Sequence, residues 1–316
     1  MNLPRLPGLL LVLSTALGAH LHAAAQAPSA TAAKSVDAGT LAEARKGFRT
    51  TLIRKAREQP PIPAPPADIF SLVRYDAAPG KLGAYLTPDP RDGKKHPAII
   101  WITGGDSNTI DELWEPGPVS NDQTASAYRK AGIIMMFPSL RGGNDNPGAH
   151  EGFLGEVDDV LAAAAYLAKQ PYVDPDRIYL GGHSTGGTLA LLTAETSTRF
   201  RAVFSFGPVD EIDGYGGRFT SFNPANPREA ALRSPGRWLA SVRSPVFVIE
   251  GAGGNIDSLL AMRSATRNPQ IRFVPVKGAD HFNVLAPANR VIAQKILGDS
   301  GAATNITLSA TEITPQ

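Results

Sequence analysis

The 316 residues contain no cysteine, and that absence removes disulfides, thiolate metal sites and a cysteine nucleophile together. An excess of charge of one sign is missing as well: 31 Lys and Arg stand against 29 Asp and Glu, a formal net charge of +2, with no dense basic run. The electrostatic footprint of a nucleic-acid or anionic-membrane binder is therefore lacking, and a small-molecule or peptide partner is expected instead. Beyond the first 25 residues no stretch is apolar over the roughly 20 residues that a bilayer-spanning helix needs. Internal repeats are also lacking. What is present is the balance of a globular chain with a substantial core, 42% hydrophobic and 19% charged. One principal domain with trimmings is the expected organisation.

The first 25 residues read as a removable export signal. Arg5 supplies the positive start, Leu9 to Leu17 the apolar stretch, and Ala23-Ala24-Ala25 the small residues of a cleavage site. Pro7 and Gly8 interrupt the run, which is too short to span, and the processed chain would begin near Gln26. No cysteine follows to carry a lipid anchor. The expected location is therefore periplasmic or secreted, with no membrane span in the processed protein.

Residues 26–66 divide into an Ala/Ser/Thr-rich leader, a surface helix over Leu41 to Glu58, and a Pro-rich linker from Pro60 to Pro66. Residues 67–298 carry the core. Ile69–Tyr75 and Leu82–Leu86 suit an antiparallel pair at a sheet edge, and Ala98–Ile102 is the short, fully apolar run of a buried parallel strand. Strand and helix then alternate: strands at Ile133–Phe137, Arg177–Leu180, Ala202–Phe206, Val246–Ile249 and Arg272–Val276, and helices at Thr124–Lys130, Val157–Ala168, Thr185–Thr198 and Ala286–Leu297. That alternation predicts an α/β fold, a doubly wound and mostly parallel sheet with helices on both faces. Residues 299–316 read as a polar tail.

Within that pattern Gly182-His183-Ser184-Thr185-Gly186 directly follows a strand and opens a helix. A serine in such a turn projects its oxygen above the sheet edge with the helix N-terminus beside it. Ser184 is thus the candidate nucleophile and the Thr185 N–H a candidate oxyanion donor. The serine needs a base. His20 and His22 fall in the export signal, His183 points away from the attacking oxygen, and His96 precedes the third strand. His281, after the last strand, is the candidate, with His150 its rival.

From about Phe70 to Leu297 the chain resembles the catalytic domain of the prolyl oligopeptidase group of α/β-hydrolases. The resemblance rests on Thr103-Gly104-Gly105, Arg141-Gly142-Gly143, Gly155 to Asp159, Tyr172 to Ile178 before the serine turn, and Ser234-Pro235 with Ser244-Pro245-Val246. It implies an α/β-hydrolase fold with a short cap between strands six and seven. It further implies hydrolysis of peptide or ester bonds through an acyl-enzyme, with no metal and no organic cofactor. Larger members carry an N-terminal β-propeller, and here a leader and helix precede the core, so the catalytic-domain type without a propeller is expected. Where many members have Tyr or His, this chain has Thr103, so the backbone of Gly104 or Gly105 is expected to complete the oxyanion hole. Members place an Asp shortly after the glycine that ends strand seven. Here the run is Glu250-Gly251-Ala252-Gly253-Gly254-Asn255-Ile256-Asp257, and Asp257 is the expected acid, with Glu250 and Asp210 as alternatives.

An exported, prolyl oligopeptidase-like serine peptidase is the leading expectation. A carboxylesterase or related acyl hydrolase is the rival enzyme, and a catalytically silent hydrolase-fold binding protein the rival of another class. Tyr215, Phe219, Phe222 and Trp238, between strands six and seven, either line a pocket or pack the cap.

Overall fold

In the computed structural model the described residues are 39–54, 59–217 and 220–315. The expected export signal, most of the leader, and Phe219 lie outside them.

Eight strands form one sheet: β1 (Ser71–Ala77), β2 (Gly80–Leu86), β3 (His96–Ile102), β4 (Ile134–Pro138), β5 (Val173–His183), β6 (Val203–Phe206), β7 (Val246–Gly251) and β8 (Ile271–Val276). Their order is β1-β2-β4-β3-β5-β6-β7-β8. The pairs β1/β2 and β2/β4 are antiparallel and the others parallel. The helices are α1 (Leu41–Arg45), α2 (Ala127–Lys130), α3 (Gly155–Leu167), α4 (Thr185–Thr196), α5 (Pro227–Ala231), α6 (Ile256–Ala265) and α7 (Leu285–Gly298). This is the α/β-hydrolase fold.

β3 shows why its sequence is apolar without alternation. Ile100 and Ile102 point into one buried cluster with Val157 and Val160 of α3 and Leu189 of α4. Ile99 and Trp101 point into a second with Tyr128 of α2 and Ile292 of α7. Both faces of the sheet are covered, so every position must be apolar. β3 also lies between β4 and β5, so the chain leaves it to opposite sides in turn. A crevice opens at the carboxyl ends of strands where the order reverses in this way. The Gly104 and Ser184 segments both emerge there.

Three segments differ from their sequence-based reading. The helix expected from Leu41 to Glu58 stops at Arg45, because Lys46 turns out of helical geometry and Gly47 takes φ 71°. The segment beyond it runs along the cap. Thr50 Oγ1 and the Thr51 N–H donate to the Glu229 carboxylate, and Leu52 pairs with Phe222. The expected polar tail is packed: Ile306, Leu308 and Ile313 are buried, and Asp299 accepts from Arg201, Tyr179 and Thr304. Lastly, the glycine run after β7, for which no helix is expected from the sequence, turns into α6 at Ile256, so Asp257 is helical.

Candidate active site

β5 runs straight into Ser184, which sits at φ 55° and ψ −115° before α4 begins at Thr185. A non-glycine residue in that region costs about 1–3 kcal/mol and persists only where its surroundings impose it. They do. The Ser184 N–H donates to the Phe206 carbonyl (2.8 Å), and its own carbonyl accepts from the Thr188 N–H (2.9 Å). The motif glycines answer to space: a Cβ on Gly182 would strike the Gly186 carbonyl, and one on Gly186 the Ile102 carbonyl. The first amides of α4, Thr185 among them, lack intrahelical acceptors and present a positive end to any developing anion.

His281 follows β8 in a loop locked by Asp280, whose Oδ1 accepts from the N–H groups of Phe282 and Asn283, both at 2.8 Å. These bonds hold the Asp280 carboxyl below the usual carboxylate range. The His281 Nδ1 is 2.9 Å from Glu250 Oε2. Glu250 is fully buried (0% exposed) at the end of β7, and its Oε1 accepts from the Gly251 N–H at 2.7 Å. Two glycines make room for the pair. A Cβ on Gly207 would lie 2.5 Å from Glu250 Oε2 and 2.6 Å from His281 Nδ1, and one on Gly254 would lie 2.7 Å from His281 N. Gly207 directly follows Phe206, which anchors Ser184, so nucleophile and base flank the same strand end. With Nδ1 turned to the carboxylate, Nε2 is the basic nitrogen of the ring.

The carboxylate on His281 is therefore Glu250, not Asp257. Asp257 is exposed in the first turn of α6, where a negative charge complements the helix end. Asp210 accepts instead from the Ser258 hydroxyl at 2.9 Å. The rival base His150 is tied through Nε2 to the Gly142 carbonyl at 2.9 Å. Of the two glycines expected for the oxyanion loop, the structure separates one from the other. The Gly104 N–H donates to Gln123 Oε1 at 2.9 Å and is spent on that bond. Gly105, exposed at φ 80°, remains, and its carbonyl is held by Thr185 Oγ1 at 3.0 Å.

From the cap, partly buried Tyr215 stacks on Phe153 at 5.6 Å, its hydroxyl 2.6 Å from Thr188 Oγ1. Burial pushes its phenol well above the ordinary range. Phe222 and Trp238, in contrast, are core residues, so of the aromatic candidates within the described residues only Tyr215 meets the serine segment.

Sequence reasoning missed Gln123 altogether, and no motif marks it. The clue to Glu250 was available: a charged residue ending a fully apolar strand must be paired once buried.

The pieces of the family resemblance also prove to be mutual contacts. Arg141 grips Asp159 through Nε and Nη2, both at 2.8 Å, and a Cβ on Gly155 would collide with the same guanidinium.

Residues 119–231 match the prolyl oligopeptidase family. The match covers about a third of the chain and includes the serine turn. Dipeptidyl-peptidase 5 of Porphyromonas gingivalis is 25% identical to it over 190 residues, 52% of this chain and 27% of that protein. The chain spans between 13% and 27% of the length of the first curated relatives it matches. Among solved structures, a puromycin-hydrolyzing peptidase of Mycobacterium tuberculosis superposes with a TM-score of 0.61 at 18% identity, over 77% of this chain and 42% of that one. A hyperthermophilic esterase of Pyrobaculum calidifontis superposes with a TM-score of 0.55 at 18% identity, over 82% of this chain and 88% of that one. Among the described residues, no cluster of His, Cys, Asp and Glu suits a metal ion, and no helix is long and apolar enough to cross a membrane.

Proposed function

We propose that the chain is a serine hydrolase of the prolyl oligopeptidase family that cleaves peptide bonds through an acyl-enzyme. The observation that carries this reading is the strained turn at Ser184, held at the same strand end as the pair of partly buried His281 and buried Glu250. In the reaction Ser184 Oγ attacks the carbonyl carbon as His281 Nε2 takes its proton, and Glu250 stabilises the imidazolium. The N–H groups of Thr185 and Gly105 face the oxyanion. His281 then gives the proton to the leaving amine, and water repeats the sequence on the acyl-enzyme. Family membership and the dipeptidyl-peptidase relative favour peptides over simple esters. Export is part of the same reading, supported by Arg5, the apolar stretch and Ala23–Ala25.

The test is labelling by a fluorophosphonate, followed by turnover on matched aminoacyl amides and esters. Ser184→Ala is expected to abolish labelling and to lower kcat by about 10^6-fold, with the melting temperature retained. Labelling that persists at another residue refutes the assignment. Turnover of esters with none of any amide turns the reading into a carboxylesterase.

A further inference from the structure

We infer that Gln123 and His183 form a one-way hydrogen-bond strut that sets the base loop against the oxyanion loop, making both of them positioning residues for the chemistry proposed above. The inference rests on that proposal for its catalytic consequence, although the strut itself does not.

The strut can be followed atom by atom. The Gly104 N–H, in the loop after β3, donates to Gln123 Oε1 at 2.9 Å. Gln123 Nε2 donates to Asn121 Oδ1 at 2.8 Å and lies 2.7 Å from His183 Nδ1. His183 Nε2 lies 2.8 Å from the carbonyl oxygen of His281. Both ends are backbone groups with a fixed sense, since an N–H only donates and a C=O only accepts. The carbonyl demands a proton on His183 Nε2, which leaves a lone pair on Nδ1. That lone pair demands an N–H from Gln123, which turns the amide oxygen to Gly104. A single proton arrangement satisfies every partner.

The surroundings keep it so. His183 is 1% exposed, and burial, with His281 beside it, lowers its pKa to about 3. Its ring lies 4.5 Å from that of His281 and 5.6 Å from that of Phe282. The titratable group facing it is His281, with Glu250 on the far side of that ring. Gln123 is anchored in turn, its carbonyl accepting from the Trp101 indole at 2.9 Å. The strut therefore joins the loop carrying the oxyanion donor to the backbone of the base, across the residue preceding the nucleophile. Displacement of a reacting group by 1 Å costs roughly 10^2-fold in rate, so a fixed separation of these loops bears directly on turnover.

The experiment uses the whole chain with His183→Phe, Gln123→Leu and His183→Gln, read by ester kinetics against pH and by ¹⁵N NMR of the imidazoles. In the parent, His183 is expected as the Nε2–H tautomer, neutral down to about pH 4. His183→Phe and Gln123→Leu are expected to lower kcat by roughly 10^2-fold with little change in KM. Labelling of Ser184 by the fluorophosphonate is expected to slow in the same proportion, because the base is displaced and substrate binding is not. His183→Gln, whose amide N–H can reach the same carbonyl, should recover much of kcat and of the labelling rate. A role in stability alone would lower the melting temperature and leave the kcat and labelling rate of the folded protein in place, and that result overturns the inference. So does an Nδ1–H tautomer, or parental kcat in His183→Phe. A parent that neither labels nor turns over, with the tautomer as described, defeats the functional reading while leaving the strut standing.

Discussion

The two glycine-rich turns of the site, Gly182 to Gly187 and Gly251 to Gly254, contrast in how openly they declare their role. In the first, the glycines, the serine and the helix start are neighbours in sequence, and the contacts that require them lie within a few residues or on adjoining strands. The geometry is local, so the motif is visible. In the second, the glycines leave room for the Glu250 carboxylate and for the backbone of Ala279, Asp280 and His281, which comes alongside only after the chain has passed through α6 and β8. A Cβ on Gly254 would crowd Glu250 and His281, 31 positions apart from one another. Nothing local announces that requirement. The same residue type serves local backbone geometry in one place and tertiary clearance in the other.

The contrast breaks most sharply if the acid is not Glu250. Glu250→Gln is expected to lower kcat by up to about 10^4-fold, because an amide cannot stabilise the imidazolium or enforce its tautomer as a carboxylate does. Measured on one activated ester, near-parental turnover in Glu250→Gln would return the search to another carboxylate.

Away from the site the lesson repeats. The strands, the sheet and the hydrolase fold were legible because burial on two faces writes itself into runs such as Ala98–Ile102. The placement of Ser184 and His281 beyond the ends of strands was legible from the apolar runs that precede them. The end of the chain was misread, because Ile306, Leu308 and Ile313 are scattered among polar residues and only the fold reveals the surface they cover. Ile313→Ala is expected to destabilise by about 2–5 kcal/mol, the range for a buried aliphatic truncation. A denaturant midpoint shift near zero would show the segment to be dispensable, as its composition alone suggested.

The buried histidine of the first turn supplies a smaller effect, one that depends on pH. The folded His183 is lowered to about 3, so above pH 6.5 neither state is protonated there and the residue contributes no pH dependence. As pH falls below 6.5 the unfolded chain binds a proton that the native state refuses, and stability drops by about 1.4 kcal/mol per unit until the folded pKa is reached. Relative to its own value at pH 7, the parent should thus lose about 2 kcal/mol more than His183→Gln by pH 5. Parallel stability curves for the two proteins would mean that His183 is charged within the fold, and the strut would lose its fixed sense.

Asp257 gives the smallest expected effect and the finest discrimination. Its carboxylate lies in the first turn of α6 behind Asn255, exposed and well placed for the unpaired amides of the helix start. A charge there is worth about 0.3–1 kcal/mol at low ionic strength and fades as salt screens it. Asp257→Asn should accordingly keep parental kcat and lose a few tenths of a kcal/mol up to about 1 in low salt, with the difference closing as salt is raised. A triad acid would behave in the opposite way, losing turnover whatever the salt, since the carboxylate that meets His281 is buried and poorly screened. Measured side by side, the salt dependence of stability and the value of kcat in this one variant separate a carboxylate that starts a helix from one that serves a histidine.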